Sequence, residues 1–316
     1  MDKNTIIQLS KSVYCLLGHT NVGIIVDNSE IILVDSGLNS ENASEIDKLI
    51  QNNFNKKISA IINTHSNADH AGGNKYFSEK YNCKIYATSK EAAFLENPYL
   101  ESAIIWGAHP FDKIRTSYFE CEKSIATDLV NEKSQIKLNN GTIIKFISLP
   151  GHFIDMIGIL ITDIDKKNTI FLGDSIFGAQ MIVKYSISYI LNISEFIKTL
   201  DKISNIKSDF YIPSHGTIIT SQEEINRVAQ MNKNEIDKIQ NYLLSICSSP
   251  MQFDDILANV FNQYHIRTTE SQIVLIGSTI KNHLTDLYYN KKMQIICKEG
   301  RMYWQKNKKK LDNSLI

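Results

Sequence analysis

Four short apolar segments of this sequence each end just before a histidine or an aspartate. The segments and the residues that follow them are 58–64 with His65, 142–148 with His152, 169–172 with Asp174, and 209–212 with His215. Short apolar runs rich in isoleucine are typical of buried β-strands. Because α/β proteins place their sites at the carboxyl ends of strands, and parallel neighbours in a sheet bring those ends together, we expect these side chains to converge.

The loop after the first of these strands holds the densest cluster of polar side chains, His65-Ser-Asn67-Ala-Asp69-His70. Imidazole nitrogens and carboxylate oxygens are ligands for zinc, and also for manganese or iron. Glycines near the other candidates allow the sharp turns that convergence requires. The sequence therefore predicts a site for one or two metal ions, with Zn²⁺ as the expected ion and Mn²⁺ or Fe²⁺ as alternatives.

Strands and helices alternate up to about residue 220, which favours layered α/β packing. Further strands are predicted at 12–17, 22–27, 30–35, 84–87 and 157–162, and helices at 40–52, 74–81 and 194–203. Residues 90–130 break this rhythm and are interpreted as a partly helical insertion over the site. From about residue 221 three helical segments and two short strands predict a winged-helix-like unit. We therefore expect one domain over 1–220 and a second unit over 221–316.

The ordered motifs resemble the pattern of the metallo-β-lactamase superfamily. That pattern is His-x-His-x-Asp-His, then a distant His, Asp and His, with an earlier Asp after a strand, here Asp35 in Val-Asp-Ser-Gly. Several motifs in the right order, from residue 12 to about 220, are far more specific than any single one. The resemblance implies a four-layer αββα fold. The layout with a C-terminal winged helix is similar to glyoxalase II-like enzymes and to β-lactamase-like endoribonucleases.

The resemblance also implies a ligand set with one departure from the family pattern. The implied ligands are His65, His152 and a shared Asp174 for the first metal, and Asp69, His70, His215 and the same Asp174 for the second. Asn67 stands where the family has a further histidine for the first metal. Because an amide oxygen is a weaker, neutral ligand, we expect lower affinity there and tight binding at the second metal. A turn-forming Asn67 without metal contact is the alternative.

Three residues receive further roles from the resemblance. Asp69 would orient the nucleophile and accept its proton, and Asn67 is assigned to the catalytic group with it. Asp35 would hydrogen-bond loop amides or a ligating histidine. The predicted function is a hydrolase that uses metal-activated water on a small thioester or ester. The alternatives are a single-strand endoribonuclease and a binding protein with a degenerate site.

Composition bears on location and partners. The formal net charge is zero, so the whole molecule is no obvious polyanion binder. The 5 cysteines are dispersed, with no Cys-x-x-Cys pair, which fits a reducing compartment. The first residues do not read as a signal peptide and no long apolar run occurs, so a cytoplasmic protein without a membrane span is expected. The helix predicted at 270–290 is weakly basic, which favours packing or a homodimer over RNA binding.

The remaining histidines are interpreted as surface or structural residues. His109, in the insertion, is interpreted as an ordinary surface residue. The alternative is that it replaces the missing ligand. His19 is expected near the mouth of the site in a structural role, and His265 and His283 are expected to be exposed. Three aromatic residues of the insertion are expected to pack in its core rather than line a pocket: Trp106, Tyr118 and Phe119.

Overall fold

The computed structural model describes residues 5–307, and its first sheet has seven strands in the order β1-β2-β3-β4-β5-β6-β7. The strands are β1 (Thr5–Gln8), β2 (Val13–Leu17), β3 (Val22–Asp27), β4 (Glu30–Val34), β5 (Lys57–Ile62), β6 (Lys84–Ala87) and β7 (Asp128–Leu129). Neighbours are antiparallel up to β4 and parallel from β4 to β7. The parallel half arises because helices connect these strands, as parallel pairing requires.

The second sheet has five strands in the order β12-β11-β10-β9-β8. They are β8 (Gln135–Lys137), β9 (Ile143–Ser148), β10 (Ile157–Thr162), β11 (Asn168–Gly173) and β12 (Phe210–Pro213). β10 runs antiparallel to both β9 and β11, while β11 and β12 are parallel. The carboxyl ends of β9, β11 and β12 therefore lie at the same edge.

Helices cover the outer face of each sheet. The helices up to residue 205 are α1 (Ser40–Phe54), α2 (Ala68–Ala71), α3 (Asn74–Tyr81), α4 (Ser89–Glu96), α5 (Tyr99–Trp106), α6 (Ala179–Lys184) and α7 (Ile193–Asn205), with a 3-10 helix at Asp112–Ile114, and those that cover the sheets are α1, α3, α4 and α7. One core lies between the two sheets, a second between the first sheet and α1, α3 and α4, and a third between the second sheet and α7. The predicted four-layer αββα fold is confirmed.

Helix α1 shows how the sequence sets these boundaries. The side chain of Asn39 accepts from the backbone N–H of Asn42 at the start of the helix, and Asn55 ends it in the left-handed region at φ 48°. Ala43, Ile46 and Ile50 lie on its buried face. The three- and four-residue spacing of these apolar side chains turns one stripe of the helix toward the sheet.

The chain continues beyond the second sheet into a further set of helices and strands. These are α8 (Gln222–Ile246), β13 (Met251–Gln252), α9 (Phe253–Gln263), α10 (Glu270–Tyr289), β14 (Met293–Lys298) and β15 (Arg301–Lys306). The strands form an antiparallel sheet in the order β13-β15-β14 around their own apolar core. α8 contributes side chains to this core and also to the core under the second sheet. The winged-helix assignment of this region stays a prediction.

The insertion contains α4, α5 and the 3-10 helix, and it ends in β7 at the edge of the first sheet. α10 packs against α5 through a small core that joins Ile105 and Phe119 of the insertion to Val274. The insertion is therefore fixed between the first sheet and the C-terminal helices. Within residues 5–307, no helix is both long and apolar enough to cross a bilayer.

Two expectations about position are wrong. The strands that precede the site do not all lie side by side in one sheet, since β5 belongs to the first sheet and β9, β11 and β12 to the second. The site residues converge because the two sheets stack face to face with these strand ends at a common edge. His283, expected to be exposed, is fully buried in α10, whereas His265 is exposed as expected.

Candidate metal centre

The loops after these four strands bring all six predicted ligands to one edge of the sandwich. Side-chain donor atoms of His65, His152 and Asp174 lie within 4.8 Å of one another, and we call this set the first ligand group. Those of His70, Asp174 and His215 lie equally close and form the second ligand group. Asp174 belongs to both groups, as a bridging ligand would.

Asp69 lies at the side of the second ligand group. Its Oδ2 is 3.1 Å from His215 Nε2 and 3.7 Å from His70 Nε2. Asp69 forms another close set with His215 and His19, whose backbone carbonyl also accepts from His215 Nδ1 at 2.7 Å. His19 therefore lies against the candidate centre, although the sequence suggested only a structural role near its mouth.

Two histidines of the centre each have one ring nitrogen that is available to bind a further partner. Nε2 of His65 and Nε2 of His70 are buried and have no hydrogen-bond partner. Leaving a buried polar nitrogen unpaired costs free energy unless a ligand satisfies it. Two orphan imidazole nitrogens beside a shared carboxylate match the donor chemistry of a divalent metal, so the residues present fit such an ion.

The inner nitrogens of the histidines are held by fixed acceptors. Asp35 Oδ2 accepts from His70 Nδ1 at 2.9 Å, and the backbone carbonyl of Tyr189 accepts from His152 Nδ1 at 2.8 Å. Asp35 also accepts from the backbone N–H and the hydroxyl of Thr64, both at 2.8 Å. These contacts direct Nε2 of each ring into the cluster, which is the role expected of Asp35.

Gly151 sets the position of His152. Its φ is 130°, and a Cβ at this residue would lie 2.4 Å from the backbone of Phe196. Only glycine tolerates both the backbone conformation and the close approach. The loop after β9 therefore turns tightly over α7 and delivers His152 to the first ligand group.

The two ligand groups differ in electrostatics. Burial, together with the neighbouring His70, lowers the pKa of His65 well below its usual value, and burial also lowers that of His152. Burial acts in the same direction on His70 and His215, but nearby Asp174 and Asp69 outweigh it and raise both pKa values well above the usual range. The first ligand group thus offers neutral imidazoles, whereas the second must release protons to bind an ion.

Asn67 faces the first ligand group. It is 8% exposed, and its Oδ1 lies 3.2 Å from His152 Nε2. Although Asn67 precedes α2, its side chain makes no capping hydrogen bond to that helix. The side chain is therefore directed to the candidate centre rather than to the local turn.

Two buried acids in the insertion were not anticipated from the sequence. Glu91, on α4, accepts from the Ser66 hydroxyl at 2.6 Å and from the backbone N–H of Asp155 at 2.8 Å, and burial raises its pKa to about 7. Glu101, on α5, is 6% exposed and lies beside Asn67. The sequence signal for Glu101 is one acid within a largely apolar helix, Tyr99–Trp106.

A cavity of about 140 Å³ opens above the ligand groups. Besides site residues, it is lined by Glu101, Ile105, Tyr118, Phe119, Phe177, Met181, Tyr185, Ile187, Ser188, Tyr189 and Leu275. None of the lining residues, within the part of the chain that the structure describes, is a lysine or an arginine. Leu275 belongs to α10, so the C-terminal region supplies part of the wall.

The structure also shows where the other candidate residues of the insertion lie. His109 is exposed and outside the ligand groups, so the idea that it replaces the missing ligand is wrong. Phe119 is buried in a small core as expected, but it also lines the cavity, and Tyr118 is 59% exposed there. Trp106 is 40% exposed and packs edge-on against Phe111 at 5.3 Å.

The αββα layers and the cluster of donors at their edge define a metal-binding hydrolase. The profile of the metallo-beta-lactamase superfamily matches residues 16–215, and the chain belongs to this superfamily. It is 25% identical over 209 residues to a probable metallo-hydrolase of Methanocaldococcus jannaschii, covering 64% of this chain and 90% of that protein.

Two further comparisons extend this result. An atrochrysone carboxyl ACP thioesterase of Aspergillus fumigatus is 22% identical over 228 residues, covering 70% of this chain and 60% of that protein. A crystal structure of a beta-lactamase domain protein from Burkholderia ambifaria superposes with a TM-score of 0.76 at 16% identity, over 96% of this chain and 95% of that one. The structural likeness shows that the fold extends through the C-terminal region.

Proposed function

We propose that this protein hydrolyses a small thioester or ester with the help of one or two divalent metal ions, Zn²⁺ being the expected ion. The observation that carries the proposal is the lining of the cavity, which combines apolar side chains with the carboxylates of Asp69, Glu101 and Asp174. An apolar wall suits an acyl group. The similarity to a thioesterase supports the same substrate class.

The same lining disfavours the endoribonuclease alternative. Proteins that cleave or bind RNA usually contact the phosphate backbone through lysine and arginine, and the cavity lining contains neither in the described residues. The carboxylates of Asp69 and Asp174 in the wall would repel an RNA strand. No observation in the cavity favours a phosphodiester over an acyl substrate.

Asp69 is the residue that we assign to proton transfer. Its Oδ2 accepts from the Thr20 hydroxyl at 3.1 Å, and it faces the cavity beside His215. Divalent ions bound by the ligand groups would supply Lewis acidity, which polarises a carbonyl and makes water easier to deprotonate. Asp69 would orient the attacking water and accept its proton, while Thr20 holds the carboxylate in place.

Substrate positioning falls to the wall of the cavity. Phe119, Phe177 and Leu275 would exclude bulk water around the acyl group and keep the carbonyl near the ligand groups. Leu275 comes from α10, so removal of the C-terminal region would also remove part of the cavity wall. Point variants are therefore a sharper test than truncation.

The test is turnover of a panel of acyl-CoA thioesters, aryl esters and single-stranded RNA. We expect thioester or ester hydrolysis that falls by about 100-fold or more in Asp69→Ala, because general-base catalysis contributes that much. His265→Asn, at an exposed position, is the matched control and should retain wild-type turnover. RNA cleavage without acyl hydrolysis, or full activity in Asp69→Ala, would refute the proposal.

Partners and compartment follow as parts of the same proposal. A small acyl substrate requires no macromolecular partner, and a homodimer stays a prediction that sedimentation equilibrium would test. All five cysteines are free, Cys297 being the exposed one, which supports a reducing, cytoplasmic environment.

A further inference from the structure

One carboxylate of the cavity has no place in the ligand groups. Glu101 lies on α5 and is 6% exposed. Within residues 5–307 it forms no ion pair with a lysine or arginine, and Arg115 of the insertion pairs with Glu120 instead. A buried carboxyl without a cationic partner is expensive unless other groups compensate. The position next to Asn67 indicates what that compensation is.

The nitrogen and the oxygen of the Asn67 side-chain amide have different surroundings. Glu101 and Asn67 line the same cavity, and hydrogen bonding from the Asn67 side chain is the main effect that opposes the rise in the pKa of the Glu101 carboxyl caused by its burial. An ionised carboxyl can accept such a bond only from the amide nitrogen. The opposite end, Oδ1, then points at His152 Nε2 at 3.2 Å. With the nitrogen held by Glu101, the oxygen is presented to the first ligand group.

We propose that Glu101 is a positioning residue that orients the Asn67 amide so that its oxygen completes the first ligand group with His65, His152 and Asp174. This inference rests on the proposed metal centre and deepens it. The insertion would thereby compensate for the single departure from the family's ligand pattern. Without an acceptor on its far side, the amide could rotate and present a nitrogen donor that cannot bind a cation.

Direct ligation by Glu101 is the competing role. Its carboxylate belongs to none of the ligand sets found among the described residues, whereas Asp69 and Asp174 do. A cation in the first ligand group would also favour the ionised form of the buried Glu101 carboxyl through space. Glu101 therefore affects the ion indirectly, by orienting Asn67 and through the electrostatic field of its own carboxyl group.

The experiment measures metal binding in the absence of substrate. Metal content per chain is determined by elemental analysis, and the affinity of the more weakly held ion by competition with a chromophoric chelator. Glu101→Leu should lower that affinity about 10–100-fold, the usual effect of removing a group that orients a ligand. Glu101→Gln should retain most of it, because its amide oxygen accepts from Asn67. Glu96→Leu, an exposed acid on α4, is the matched control.

The decisive comparison repeats Glu101→Leu in an Asn67→His background. An imidazole binds through its own ring nitrogen, so the loss of affinity should shrink or vanish there. The visible absorption of the Co²⁺ form should likewise change with Glu101→Leu only when Asn67 is present. An equal loss in both backgrounds would overturn the positioning role, as would wild-type affinity in Glu101→Leu or a Glu101→Gln variant as weak as Glu101→Leu.

Metal binding and turnover report on different claims. A wild-type chain that binds metal in a Glu101-dependent manner but hydrolyses no ester or thioester would refute the proposed substrate and leave the role of Glu101 intact. A hydrolase whose metal affinity does not depend on Glu101 would refute only the positioning role. The two failures are therefore distinguishable.

Discussion

Replacing His283 with leucine should make the fold less sensitive to acid. His283 lies in α10, is fully buried, and both of its ring nitrogens lack hydrogen-bond partners. Burial lowers its pKa from 6.5 to about 3, because no neighbouring acceptor stabilises the charged ring. The folded protein therefore keeps His283 neutral at pH values at which the unfolded chain takes up a proton.

The sign and size of the effect of pH on the free energy of unfolding follow from this difference in protonation between the folded and unfolded states. Above pH 6.5 both states are neutral and the group does not affect stability, while between pH 6.5 and about 3 the unfolded state binds the extra proton and is favoured. At about 1.4 kcal/mol per pKa unit, the free energy of unfolding should fall by about 2 kcal/mol between pH 8 and pH 5. The full loss, reached below pH 3, would be about 5 kcal/mol.

The assay is urea unfolding of the chelator-treated protein at about pH 8 and about pH 5. Between these two pH values, the free energy of unfolding of His283→Leu should fall by about 2 kcal/mol less than that of the wild type, because the other titrating groups are common to both. His265→Asn, which changes an exposed histidine with a positive φ to a residue that tolerates this conformation, should behave like the wild type. Equal acid sensitivity of wild type and His283→Leu would refute the reasoning.

Three further outcomes are expected. Asp35→Asn should weaken metal binding about 10–100-fold in chelator competition, because the carboxylate that orients His70 is lost. Gly151→Ala should lower the free energy of urea unfolding by at least about 2 kcal/mol, because its Cβ would meet backbone at 2.4 Å, whereas Gly300→Ala, with nothing within 4 Å, should cost only about 1 kcal/mol. Metal affinity should rise with pH, because His70 and His215 have raised pKa values and must release protons to bind an ion; a pH-independent affinity between about pH 6 and pH 8 would contradict this.

The sequence by itself determined the candidate ligands. His65, His152, Asp174 and His215 are each readable because a short apolar run ends just before them, and this pattern is local to a few residues. The alternation of strands and helices likewise indicated layered packing, which the two sheets and their outer helices confirm. Local periodicity reports which side of an element is buried, and this is enough to predict elements and their ends.

Elements with a weak local pattern were missed. β1, β7 and β8 are short, and their pairing depends on a distant neighbour rather than on alternation. α2 has only four residues and exists because the loop after β5 curls around the ligand cluster. The strength of a periodic signal grows with the length of the element, so these elements could not be predicted with the others.

Only the tertiary structure decided which distant residues complete the site. Glu101 is one acid in a helix of the insertion, and nothing within that helix shows that it lies beside Asn67. Leu275 lines the cavity, and His283 is buried, because α10 packs back over the insertion and α8. Such contacts join residues far apart in the chain. They depend on how whole layers stack, which the order of residues within one element does not encode.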